Sequence, residues 1–497
     1  MAWTVLPRRG PFAYVRHVAI VEQDRIAFRT ITLGRDFGTA LEGRTGVSIR
    51  RSRGDESCRF ARGRDRGKSS GVQIVRHSGA CLARRTLGHG GMRFSLLCIV
   101  AASRLFAKAP IDELRDWLAI LRESRPALAD TAFAREPLTK ADAASASKLL
   151  WEDHTAFLRT TRAAEIVGKI IRIGDREMKF EIVAFGKRED APAGGRSLFI
   201  SMHGGGGGPA AMNDGQWENQ IRLAQAYHPA EGLYVAPRAP TDTWNLWHEA
   251  HIDQMFDRLI ADLVALEGVN PNRVFILGYS AGGDGVFQLA PRMADHWAAA
   301  SMMAGHPNEA SPLGLRNVPF AIQVGANDGA YHRNKIAAEW GAKLDALQTD
   351  DPDGYPHFTE IHASKGHWMD LEDRKAIPWM EKFTRDPLPT RVAWRQDDVL
   401  HRTFYWLAVA PEVAKVGQKL IAVRSGQNIT VTAHDVPKMF VRLNDAMLDL
   451  EQPVVVRVGE KEISSGRVTR TIRLLADTLA ERGDPDLMFS AEIPVSF

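Results

Sequence analysis

Ser280 lies in the run Gly278-Tyr279-Ser280-Ala281-Gly282-Gly283, after the apolar segment Val274–Leu277 and before a stretch of helical period. A G-x-S-x-G spacing lets a strand turn sharply into a helix. Its glycines relieve crowding around a strained serine, whose hydroxyl then stands clear at a helix N-terminus. To act as a nucleophile, such a serine needs a base, and the base needs an orienting acid. Downstream, Val324-Gly325-Ala326-Asn327-Asp328-Gly329 sets an acid just past one apolar run. Lys365-Gly366-His367-Trp368 sets a histidine past the next. Upstream, five glycines follow His203 (Gly204 to Gly208), and glycine lets backbone N–H groups approach a developing oxyanion without a Cβ in the way. The chemistry expected is acyl transfer, with Ser280 attacking, His367 as base and Asp328 orienting it. The N–H groups of Ala281 and of Gly204 or Gly205 would hold the oxyanion. No Lys-Ser/Thr follows the glycines, which argues against a phosphate-cradling loop.

The elements that must position these groups alternate. Lys169–Ile173 and Met178–Ala184 read as a hairpin across Gly174-Asp175. Strands are expected at Ser197–Met202, Gly232–Ala236, Val274–Leu277, Trp297–Met303, Phe320–Val324 and Phe358–His362. Between them Trp217, Ile221 and Ala224 mark one helix, and Ile252, Met255, Phe256, Leu259, Ile260, Leu263 and Leu266 mark a strongly amphipathic one. A closing helix is expected around Leu371–Phe383. Strands alternating with helices imply an α/β fold with a mainly parallel sheet flanked by helices. Ser280, Asp328 and His367 then all fall at carboxyl ends of strands, where open α/β sheets build their sites. Asp370 is the competing acid, and it reads equally well as a charge at the start of a helix.

Taken together, His203-Gly204-Gly205-Gly206, Gly278-Tyr279-Ser280-Ala281-Gly282 and Gly366-His367 resemble the motifs of serine α/β-hydrolases. Gly366-His367-Trp368 is similar to the histidine motif of single-domain esterases such as polyhydroxyalkanoate depolymerases and feruloyl esterases. The resemblance covers residues 165–385. It implies an α/β-hydrolase fold and hydrolysis of short-chain, aromatic or polymeric carboxylic esters through an acyl-enzyme, with no cofactor. The run of five glycines is longer than such motifs often show, which leaves open which glycine donates to the oxyanion.

Trp244 and Trp247 follow the strand ending at Ala236, and with His306 and Trp368 they are candidates to line a substrate pocket. The histidines His332, His357, His362 and His367 lack a metal-ligand spacing, so no metal is expected. Too few residues separate Met303 from Phe320 for a large cap, so an open site is expected. Two other readings compete. One is a serine peptidase of the prolyl-oligopeptidase type, which shares the order Ser…Asp…His; the other is a non-catalytic surface-binding protein on the same scaffold.

Charge divides the chain. Residues 1–91 carry 18 Lys+Arg against 7 Asp+Glu, a net of +11; the remaining 46 basic and 53 acidic residues net −7. The basic part shows no helical or strand period and reads as disordered or non-native upstream sequence, so no nucleic-acid partner is expected. Met92-Arg93 followed by Phe94-Ser95-Leu96-Leu97-Cys98-Ile99-Val100-Ala101-Ala102-Ser103 has the layout of a secretory signal over 92–109, which points to a secreted or periplasmic protein. No apolar stretch reaches the ~18 residues of a membrane span. Cys58, Cys81 and Cys98 all precede residue 110, leaving the rest without thiol chemistry. A helical N-terminal segment (110–164) precedes the catalytic domain (165–385). After Asp386-Pro387-Leu388-Pro389 the texture changes to short strands, giving a small β-sandwich-like domain over 390–497.

Overall fold

A computed structural model describes residues 108–497 throughout, and of the first 107 only the backbone of six short strands between Val15 and Arg85. Val15–Glu22 pairs antiparallel with Arg25–Thr32. Val47–Arg50, Cys58–Arg62, Val72–His77 and Ala80–Arg85 form a separate antiparallel sheet. The rest of the Arg-rich 1–91 stretch and the signal-like run from Met92 to Ala107 lie outside the described residues. From Ala107 onward the chain is one compact unit, whose elements are numbered here.

It begins with α1 (Pro110–Ala119), α2 (Lys140–Thr161) and α3 (Ala163–Gly168). Thr139 caps α2 by accepting the Asp142 N–H at 3.1 Å. An eight-stranded sheet follows: β1 (Ile170–Ile173), β2 (Arg176–Phe185), β3 (Arg196–Met202), β4 (Gly232–Pro237), β5 (Val269–Tyr279), β6 (Ala299–Met303), β7 (Phe320–Gly325) and β8 (His357–His362). Its spatial order is β8-β7-β6-β5-β3-β4-β2-β1. The strands from β8 to β4 run parallel, β2 pairs antiparallel with β4, and β1 pairs antiparallel with β2. Interleaved are α4 (Ala210–Tyr227), α5 (Ala250–Glu267), α6 (Ala281–Arg292), α7 (Arg333–Asp350) and α8 (Ala376–Met380).

Alternation along the central strands sorts the helices into two layers. Leu198, Ile200 and Met202 of β3 face a core built with Phe256 of α5, Phe287 of α6 and Trp340 of α7. Phe199 of β3 and Phe275 of β5 face Ala224 and Tyr227 of α4 and Ile377 of α8. All seven residues of β3 are therefore buried, as expected of a central parallel strand covered on both faces.

Residues beyond Pro389 form two sheets. One runs through β9 (Arg391–Arg395), β12 (Lys419–Ser425), β13 (Asn428–His434), β15 (Val454–Val458) and β16 (Lys461–Gly466), in that spatial order. The other runs through β10 (Thr403–Phe404), β11 (Leu407–Ala408), β14 (Lys438–Leu443) and β17 (Ala491–Ser496). One apolar core crosses the Asp386–Pro389 segment, with Val392, Trp394, Trp406 and Val441 in the same cluster as Ile200 and Phe256. Leu114 of α1 and Leu150 of α2 pack with Ile472 and Leu475 of α9 (Ile472–Arg482). The interface is also ionic: Asp295 accepts from Arg482 at 2.5 Å and from the Tyr405 N–H at 2.8 Å, and Arg385 donates to Asp484 at 2.7 Å.

Local structure differs from the sequence reading at the closing helix and at Trp297, among other boundaries. The closing helix expected at Leu371–Phe383 is broken: Asp370 and Leu371 take left-handed φ of 52° and 66°, Glu372–Lys375 is a 3₁₀ turn, and only Ala376–Met380 is α-helical. Trp297 precedes β6 rather than joining it, and its indole N–H donates to the Leu289 carbonyl at 3.1 Å. The last helix begins at Ile472, where the Thr471 hydroxyl accepts the Leu474 N–H.

Candidate active site

Ser280 follows β5 directly and caps α6, with φ 57° and ψ −121°. That backbone is sparsely populated for a residue with a Cβ and needs surrounding structure to hold it. Its N–H donates to the Met303 carbonyl of β6, and its carbonyl accepts the Asp284 N–H, both at 2.9 Å. The glycines around it are required by contact: a Cβ on Gly278 would strike the Gly282 carbonyl, and one on Gly282 would strike the Met202 carbonyl of β3.

His367, in the loop after β8, brings the group together. Its Nε2 is 3.0 Å from Ser280 Oγ and its Nδ1 is 2.7 Å from Asp328 Oδ2. An ionised carboxylate only accepts, so Nδ1 carries the proton and Nε2 is left to accept the serine O–H. The Asp328 carboxylate is almost wholly buried, whereas the imidazole is 43% exposed. Asp328 follows β7 in a turn where its own N–H donates to the Gly325 carbonyl and its carbonyl accepts the Asn334 N–H. Arg333 Nη1 stands 3.7 Å from Asp328 Oδ1. Asp370, the competing acid, points instead to Lys365 at 2.9 Å and is exposed. The other clustered histidines go elsewhere: His357 to Asp345 and His362 to Gln323.

Tyr279 holds the histidine loop. Its hydroxyl donates to the His367 carbonyl at 2.7 Å and accepts the Met369 N–H at 3.0 Å. Burial raises its pKa, so it remains a donor. The sequence reading passed over this residue, although its place beside Ser280 at the end of a strand was a usable signal.

The glycine loop is organised by His203. Burial pushes its pKa down to about 4, and its Nε2 accepts the Ala239 N–H at 3.1 Å. Nδ1–H therefore donates to the Gly204 carbonyl at 2.6 Å. In a planar trans peptide this aims the Gly205 N–H the opposite way. The Gly206 N–H is engaged by Asn213 Oδ1 at 2.7 Å, and the Gly207 N–H by the Asp242 carbonyl at 2.9 Å. Asn213 and Arg238 in turn hold the Asp242 carboxylate. A Cβ on Gly204 would lie 3.1 Å from Ser280 Cβ, so the start of the loop abuts the serine. Ala281 stands on the other side, in the first turn of α6.

The four pocket candidates separate. Trp244 and Trp368 are exposed, at 64% and 48%. Trp247 is fully buried, and its indole N–H donates to the His203 carbonyl at 2.9 Å, so it supports the glycine loop and offers no surface to a substrate. His306 is turned into its own loop: Nδ1 accepts the Asn308 N–H at 3.0 Å, and its backbone N–H donates to Asp284 at 2.6 Å. Burial raises the Asp284 carboxyl to about 6.

No family model matches the chain. A protein named "Putative esterase NocK", from Nocardia uniformis subsp. tsuyamanensis, is 30% identical over 166 residues, covering 31% of this chain and 45% of that protein. The chain thus matches less than half the length of that relative. Among solved structures, a thermostable esterase is 17% identical with TM-score 0.34, covering 44% of this chain and 64% of that one. Esterase PE8 is 19% identical with TM-score 0.32 over 41% and 98%. A carboxylesterase from Mesorhizobium loti is 16% identical with TM-score 0.31 over 43% and 99%. These matched proteins are all named as esterases.

Proposed function

We propose that this chain hydrolyses carboxylic esters through an acyl-serine intermediate on Ser280. The observation that carries the reading is the hydrogen-bonded series Ser280–His367–Asp328, with the serine on a strained turn at a helix N-terminus. His367 Nε2 takes the Ser280 proton as Oγ attacks the ester carbonyl. The tetrahedral oxyanion is held by the N–H groups of Ala281 and of Gly204 or Gly205, aided by the positive end of α6. Engagement of the Gly206 and Gly207 N–H groups elsewhere supports assigning the hole to the first two glycines. His367 then gives its proton to the departing alcohol, and a water activated by the same nitrogen releases the acid. Asp328 keeps the proton on Nδ1 and stabilises the imidazolium.

The half-exposed imidazole and the 16-residue span between Met303 and Phe320 favour an ester taken from an open cleft. We read the two C-terminal sheets as a small sandwich that buttresses the α/β part, because its inner residues share that part's core. The test is a fluorophosphonate probe with a substrate panel. One label on the wild type, none on Ser280→Ala, and turnover of p-nitrophenyl esters but not aminoacyl-p-nitroanilides is the expected result. Anilide turnover makes the chain a peptidase, and labelling at another residue removes Ser280 from the mechanism.

A further inference from the structure

Immediately after the turn that holds Asp328, the backbone does something costly. Tyr331 and His332 both take left-handed conformations, at φ 52° and 58°, a region that residues with a Cβ enter reluctantly. The ring presented there is 75% exposed, the most exposed of the large aromatic side chains among the described residues. An aromatic side chain held out to solvent on a strained turn gains nothing from burial and relaxes nothing in the backbone. Its position is nevertheless defined, because the Arg333 guanidinium lies 4.8 Å over its face. The same guanidinium stands 3.7 Å from Asp328. Through that guanidinium Tyr331 is linked to Asp328, whose other carboxylate oxygen holds His367.

The His367 side of Ser280 has a chemical meaning under the ester-hydrolase reading, on which this inference rests. The departing alcohol must take its proton from His367 Nε2, so the alcohol part of the ester lies beside His367. The carbonyl oxygen lies toward the glycine loop. Trp368, next in the chain to His367 and 48% exposed, stands with its ring 5.6 Å from that of Tyr279. Over the glycine loop the exposed apolar groups are different: Trp244 lies against Gly207, and Met212 against Gly208. We infer that Tyr331 is a specificity-determining contact for the alcohol part of the ester, acting with Trp368, and that it favours an aromatic or flat apolar alcohol.

Two substrate series separate the halves of the ester, with rates expressed per Ser280 titrated by fluorophosphonate. Acetates of 2-naphthol and ethanol vary the alcohol; p-nitrophenyl acetate and hexanoate vary the acyl chain. In Tyr331→Ala the naphthyl-to-ethyl ratio of kcat/KM should fall about tenfold, the scale of a lost aromatic contact. The hexanoate-to-acetate ratio should move less than about twofold. Tyr331→Phe, which restores the ring on the same backbone, should return the naphthyl-to-ethyl ratio to within about twofold of wild type. An unchanged naphthyl-to-ethyl ratio in Tyr331→Ala overturns the inference, and so do both ratios falling together, since that is damage to the Asp328 turn. A wild type that takes the label but shows no preference between the alcohols also overturns it while leaving the hydrolase reading in place. A wild type inert to both series and to the probe overturns both.

Discussion

Of the histidines that this molecule sets beside carboxylates, two make an instructive contrast. His367 has one acid, Asp328, and keeps its other nitrogen toward Ser280 on an open edge of the sheet. His296, in the turn before β6, is held by two acids, with Nε2 2.8 Å from Asp257 and Nδ1 3.1 Å from Asp295. Burial works to lower the pKa of His296, but the hydrogen bonds and charges of Asp257 and then Asp295 outweigh it and push the value up to about 9. Such an imidazolium keeps its proton and serves as a fixed cation. Asp295 is held ionised despite its burial, chiefly by Arg482 and His296, and so locks the C-terminal sheets to the α/β part. The number of acids and the loss of solvent turn one chemical pair into a clamp, whereas under the proposed hydrolysis the nitrogen facing Ser280 lets the other carry a proton.

Removing the clamp wholesale is the most severe way to break this comparison. A chain ending at Asp386 would leave Asp295 without Arg482 and Tyr405, Asp253 without His401, and the apolar core open. Circular dichroism and gel filtration should show loss of the folded protein. A truncated chain that folds and takes the fluorophosphonate label would show that the two parts are separable.

Ser280→Ala should lower kcat by about a million-fold, by analogy with serine-hydrolase triads, with the thermal transition unchanged. Asp328→Asn should lower kcat by about 10⁴-fold through the wrong imidazole tautomer, with KM little changed. Asp370→Asn should cost less than about tenfold, because Asp370 pairs only with Lys365 at the surface. Steady-state kinetics on the three variants ranks them, and an Asp370→Asn defect as large as that of Asp328→Asn would reassign the acid.

At the clamp, Asp295→Ala should cost ~3–5 kcal/mol in denaturant unfolding, the usual penalty for stranding a buried charge. The smallest effect is the pH dependence carried by His296. Its folded pKa of about 9 lies above its ordinary value of 6.5, so its stabilisation is fully present below pH 6.5 and fades as pH rises through 9. The difference in Tm between wild type and His296→Gln should therefore shrink across that window. A constant difference would mean that His296 contributes packing and not charge.

Local signals explain why some of the molecule was legible. Gly278, Ser280 and Gly282 announce a strand-to-helix turn because their spacing is a local pattern, although β3 and β6 are what hold the strained serine in place. The central strands announce themselves by largely apolar runs, as in Val274-Phe275-Ile276-Leu277, since a central parallel strand must be apolar on both faces. The breaks in the pattern came where a local rule met a distant contact. Leu371–Phe383 has helical spacing, yet the loop carrying His367 and Met369 is tied to Tyr279, and the chain enters that segment through two left-handed residues.

By itself, then, the sequence determined the alternation of strands and helices, the sharp turn at Ser280 and a short set of acids and bases at strand ends, each encoded within its own short stretch of chain. Only the tertiary structure decided that Asp328 and not Asp370 meets the imidazole, that Trp247 lies under the glycine loop, and that Gly206 and Gly207 have their N–H groups taken. It alone decided that the residues after Pro389 share a core with the rest. Each of these depends on where β3, β5, β7 and β8 come to rest beside one another. That register is set by side chains packing across the whole sheet, at distances no window of sequence spans.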